Sequence, residues 1–139
     1  MTTGLSVFDT TVQETNLWLK SVMEGLHTDD RHLAYLALRG VLHALRDRLG
    51  PEHAVQLAAQ LPMLVRGLYY EGWRLAGATR ERTRADFFEH VRSELPGSSA
   101  IDINLAARAV FATMWQKLDM GEVGKVIDLL PPELKELWR

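Results

Sequence analysis

The chain has 139 residues, 47% of them hydrophobic and 24% charged, with a formal net charge of −2. That composition suits one globular domain, large enough to bury a core without staples. The absence of cysteine excludes disulfides, thiolate metal sites and cysteine nucleophiles, and the small net charge gives no whole-molecule attraction to nucleic acid or anionic lipid.

The opening stretch, MTTGLSVFDTTVQE, has no basic region and no long apolar run, so it does not read as a signal peptide. No apolar run approaches the ~20 residues that span a bilayer. The expectation is a cytoplasmic protein with no membrane contact. The first helix is expected from Thr11, an N-cap with Glu14 three residues on, as in a capping box. Val12, Leu19, Val22, Met23 and Leu26 form its apolar stripe. The second, TDDRHLAYLALRGVLHALRDRLG, is expected to have an acidic first turn, with Leu33, Leu36, Ala37, Gly40, Val41, Ala44 and Leu45 on one face and Arg46 and Arg48 in the last turn. Gly50 ends it, and Pro51 opens a third at its first position.

Pro62 lacks an N–H and clashes with the preceding turn, so a kink or break is expected there. Residues 74–84, RLAGATRERTR, have no apolar period and read as an exposed loop. Thr83 with Asp86 caps a helix carrying Phe87, Phe88, Val91 and Leu95. After the connector PGSSAID, Asp102 caps the helix INLAARAVFATMWQKL. Asp119 with Glu122 caps another, and Pro131-Pro132 starts a last short one. Nothing alternates apolar and polar residues as a strand does, so the predicted fold is all-α, a compact bundle of about seven helices.

The chain also repeats. At a fixed offset of 69 positions, LALRGVL (36–42) falls on LAARAVF (105–111), Leu61-Pro62 on Leu130-Pro131, Trp18 on Phe87 and Tyr69 on Trp138. The single domain 1–139 is expected to be two pseudo-repeated three-helix units, about 10–70 and 84–139, joined by a loop at 71–83. Tyr70, Glu71 and Trp73 have no counterpart in the second unit.

FDTTVQETNLWLKSV, DDRHLAYLALRGVLHALRDRL and QLPMLVRGLYYEGW together resemble a bacterial family catalogued as domain of unknown function 2267. The resemblance covers nearly the whole chain. It implies an all-helical protein of about this length and no activity, cofactor or catalytic residue.

Candidate sites follow from the residues themselves. The histidines are His27, His32, His43, His53 and His90, and no two of them have the i, i+4 spacing of a zinc helix. Asp29-x-x-His32 supplies only one of the paired segments a di-iron bundle needs. Asp86, Glu89 and His90 share the start of a helix, where acids are expected anyway. No metal ligand and no cofactor are assigned. His43 shares a face with Arg39 and Arg46, read as opposite the apolar stripe, with Asp47 one turn away as a partner. That face suits a small anion or nucleotide, a general base, or a plain solvated or interface face. Arg39 recurs as Arg108, which points to a structural role. In the connecting loop Arg74, Arg80, Arg82 and Arg84 outnumber Glu81 and adjoin Tyr70, Glu71 and Trp73. Arginines beside aromatics suit a protein interface or an anionic ligand. There is no Gly-rich phosphate loop and no G-x-S-x-G elbow, so no catalytic residue is assigned. The expectation is a non-catalytic interaction module that meets a protein partner or a second copy of itself, with nucleic acid disfavoured.

Overall fold

The computed structural model describes residues 2–75, 78–97 and 99–139. Among them lie eight α-helices and no strand: α1 Ser6–Leu26, α2 Arg31–Leu49, α3 Pro51–Ala58, α4 Met63–Tyr70, α5 Arg84–Ser93, α6 Ile103–Lys117, α7 Met120–Asp128 and α8 Pro132–Lys135. A 3-10 turn, Glu136–Trp138, follows α8. The eighth helix arises because Pro62 breaks the chain and does not merely kink it: α3 ends at Ala58 and α4 begins after the proline.

Local chemistry sets most boundaries. The side chains of Asp30, Thr83, Asp102 and Asp119 each accept a backbone N–H three residues on, at 3.1 Å. Pro51 and Pro132 each open a helix. Gly50, between α2 and α3, has a φ of 83°, which a Cβ would strain.

The start of α1 differs from the expectation. The helix begins five residues before Thr11, at Ser6, with Leu5 as a cap that offers no side-chain acceptor. Thr11 is buried inside it, and its hydroxyl accepts the Leu64 N–H at 2.9 Å. A side chain engaged across the fold is not free to close a capping box.

Two helices form the centre. α2 packs against α1, α3, α4, α5 and α6, and α6 packs against α1, α2, α5, α7 and the C-terminal turn. Consequently α2 is buried almost all round: Leu38, Leu42, His43 and Arg46 are inside together with Ala37, Val41 and Leu45. The reading of one apolar and one solvated face on α2 is therefore corrected. α1 lies against α6 at close range, since a Cβ on Gly25 would sit 2.6 Å from that of Ala109. At the far end Phe111, between Phe87 and Trp138, stacks on Trp138 with ring centroids 4.1 Å apart.

Residues 74–84 are only partly the exposed loop expected. Arg74, Leu75 and Arg80 are exposed, but Thr79 N–H donates to the Asp47 carbonyl at 2.9 Å, and Arg48 Nε to the Glu81 carbonyl at 2.7 Å. Residues 76–77 of this segment, and 98 of the PGSSAID connector, lie outside the described residues.

Candidate functional site

The polar residues of α2 are placed by the end of α4. A helix leaves its last four carbonyls without partners. Here the buried Arg46 Nη1 donates to the carbonyls of Tyr69 at 2.8 Å and Glu71 at 3.1 Å. His43 Nε2 lies 2.8 Å from the Leu68 carbonyl, so that nitrogen carries the proton it donates. A guanidinium at a helix C-terminus also suits the dipole.

Around these two side chains sits a cluster drawn from α2, the connector and α5. Arg46 Nε donates to Asp47 Oδ1 at 2.9 Å. Asp47 Oδ2 faces His90 Nε2 at 3.2 Å, and His90 Nδ1 faces Glu81 Oε1 at 2.7 Å. Glu94 Oε2 faces His43 Nδ1 at 3.3 Å. Hydrogen bonding to Asp47, then to Glu81, outweighs burial and pushes the His90 imidazole from 6.5 up to about 9. Burial alone would raise the Asp47 carboxyl. Hydrogen bonds from His90 and Arg46 outweigh it and hold that carboxyl below the usual value. One oxygen each of Asp47 and Glu94 and one nitrogen of His90 all lie within 4.8 Å of one another.

This arrangement corrects the reading of His43. It is 1% exposed and Arg46 is 2% exposed, so neither presents a solvated anion-binding face. Asp47 pairs with Arg46 and His90, not with His43. Arg39, the third member of that face, is taken by Glu71 at 2.9 Å. Its counterpart Arg108 reaches the Glu136 carbonyl at 3.4 Å, so both arginines tie down a C-terminal helical segment.

Tyr70, Glu71 and Trp73 are brought together, but only in part as a surface. Tyr70 and Trp73 stack with centroids 5.5 Å apart, are half-buried against the core, and have Arg46 beneath the indole at 5.9 Å. Glu71 is exposed. Arg74, Arg80 and Arg82 are exposed and Arg84 is half-buried at the start of α5.

A second feature had no reading in the sequence. An open groove of about 610 Å³ runs between α1, α2 and α4. Phe8, Val12 and Leu19 form one wall, Met63, Leu64 and Leu68 the other, with Tyr35 and Leu38 at its base and Glu71 at its rim. Phe8 is 45% exposed, and Met63 and Leu64 are 49%. The spacing Leu5, Phe8, Val12, Thr15, Leu19 is a helical stripe that continues past the expected start of α1. Reading α1 from Leu5 would have disclosed it. The cluster had its own signal, His90 and Glu94 at i, i+4 at the end of α5, which the spacing of paired histidines does not include.

No helix among the described residues is long and apolar enough to cross a membrane. The model of a family described as "Uncharacterized conserved protein (DUF2267)" matches residues 15–137, and the chain belongs to that family. No curated protein matches the chain.

Proposed function

We propose that this member of the DUF2267 family is a non-catalytic interaction module, built as a duplicated helical unit, that self-associates through the groove between α1, α2 and α4. The observation that carries this reading is the apolar surface left around that groove: Leu5, Phe8, Val12, Met63 and Leu64 all lie outside the core. Contiguous apolar patches are uncommon on monomers and mark contact surfaces. The same patch holds a ridge, the exposed start of α1, and a cleft beside it. A twofold pairing would place each ridge in the other copy's cleft.

Duplication sharpens the argument. α7 begins 69 positions after α3, and α8 begins 69 positions after α4. Packing pairs match under the same shift: α1 with α6 corresponds to α5 with α2, and α1 with α4 to α5 with α8. At the second unit's equivalents of Thr11, Val12, Thr15, Tyr35, Leu64 and Gly67 stand Arg80, Glu81, Arg84, Asn104, Glu133 and Glu136. At these positions the second unit carries charged or amide side chains, whereas Leu19, Leu38, Met63 and Leu68 fall on the apolar Phe88, Ala107, Pro132 and Leu137. This moves the contact surface away from Trp73 and the arginines after it, and keeps Glu71 at its rim.

Sedimentation equilibrium of the wild type and of Leu64→Glu tests the reading. A dimer in the wild type, weakened at least tenfold by Leu64→Glu and unaffected by Trp73→Ala, is the expected result. A wild type that stays monomeric at high concentration removes the proposal. Weakening by Trp73→Ala alone returns the contact to the connector.

A further inference from the structure

We propose that Asp47, His90 and Glu94 bind a divalent transition-metal ion, with His43 and Glu81 holding the ligands in place. His90 on α5 and Glu94, the residue that caps its C-terminus, lie four positions apart beside α2, which supplies Asp47. Zinc-class ligands lie ~2.0–2.2 Å from the metal, so donor atoms within 4.8 Å of one another converge on a common centre by small side-chain rotations.

The two imidazoles are each anchored from the far side of the cluster. Each ring directs one nitrogen at a protein oxygen outside the three ligands. For His90 this is Nδ1 to Glu81 at 2.7 Å, and for His43 it is Nε2 to the Leu68 carbonyl at 2.8 Å. Each then turns its other nitrogen toward a carboxylate, Asp47 or Glu94. A metal at His90 Nε2 would take the place of the proton which that nitrogen shares with Asp47 Oδ2. Metal-binding histidines are held in this way, the far N–H fixed by a carboxylate or carbonyl. His43, on another helix and with a side chain only 2% exposed, orients Glu94 through its Nδ1 at 3.3 Å.

Charge agrees. The side chains bonded into the cluster carry three carboxylates, Asp47, Glu81 and Glu94, against one guanidinium, Arg46. That excess of carboxylates favours a cation, and a dication offsets more of it than the single proton it would replace on His90. One nitrogen with two oxygens and no sulfur favours zinc, iron(II), cobalt(II) or manganese over calcium or magnesium. Asp47 and Glu94 are exposed by 20% and 27%, which leaves a path for entry and positions for water.

The test uses the full chain, stripped with a chelator and titrated with Zn²⁺ by calorimetry. The expected result is one ion per chain, with affinity lowered at least tenfold in Glu94→Gln and in His90→Gln and unchanged in His32→Gln. Bound Co²⁺ should show visible absorption bands in the wild type that both site variants lose. Circular dichroism checks that the variants are folded. If they are not, zinc-edge X-ray absorption of the wild type decides: a first shell of one histidine nitrogen with oxygens supports the site. A shell of several histidines or of water alone overturns it. So does a wild type that takes up neither ion, or folded site variants that bind as the wild type does.

Discussion

Trp138 stacks on Phe111, yet its indole Nε1 is buried and has no hydrogen-bond partner among the described residues. A buried donor without an acceptor costs ~1–3 kcal/mol. The ring itself is nearly all inside, at 8% exposure. These two effects oppose each other, and substitution separates them. Trp138→Ala removes the stacked surface and should cost about 3–5 kcal/mol in urea unfolding. Trp138→Phe keeps an aromatic ring against Phe111 and removes the orphan N–H, so its loss should be held to about 1 kcal/mol. Equal losses in the two variants would mean that the N–H is satisfied in solution. Tyr69, 69 positions earlier in the sequence, has no such problem, because its hydroxyl donates to the Ala54 carbonyl at 2.8 Å. Burial accordingly raises the tyrosine's pKa far above the usual value.

At the scale of elements, the α1–α6 contact is limited by one missing methyl. Gly25→Ala would put a Cβ 2.6 Å from Ala109 Cβ and 3.0 Å from its backbone, so a helix must shift. Overpacking of this kind costs ~1–3 kcal/mol and exceeds the propensity gain of ~1 kcal/mol for alanine over glycine. Gly124→Ala, in α7, meets nothing within 4 Å and should stabilise by up to ~1 kcal/mol. Thermal unfolding of the two variants should therefore move in opposite directions, and a shared direction would refute the close-contact account.

The same scale explains what the sequence disclosed. Helix starts at Thr83, Asp102 and Asp119 were legible because a cap is a contact between residues three apart, as were the prolines at 51 and 62, whereas the acids expected in the first turn of α2 precede it, with Asp30 as its cap. The start of α1 was not, because Leu5 carries no cap signal. The burial of His43 and Arg46 was not legible either. A charged residue enters a core only when its partner is known, and those partners are the carbonyls of Leu68, Tyr69 and Glu71 and the carboxylate of Glu94, over 20 residues away. For the candidate metal site, His90 and Glu94 are four positions apart at the end of α5 and are visible together. Asp47 joins them only through the packing of α2 on α5.

For the whole molecule, the central fact is that α2 and α6 share one core. α1 packs on α6, and α2 on both α5 and α6. Neither half closes its own apolar surface: Val22, Leu38 and Val41 in one and Ala107, Val110 and Met114 in the other are all fully buried. Residues 1–70 and 84–139, expressed separately, should each lack a cooperative thermal transition, and mixing them should restore one. A cooperative transition in either half alone would show that it carries a sufficient core, contrary to the duplicated-unit reading.

The clamping of α4 has a consequence for anything that docks beside it. Its last turn is gripped by His43 and Arg46, and near its start the Leu64 amide is held by the Thr11 hydroxyl at 2.9 Å. A guest therefore meets a cleft already set in shape, and forfeits little freedom in ordering its host on arrival.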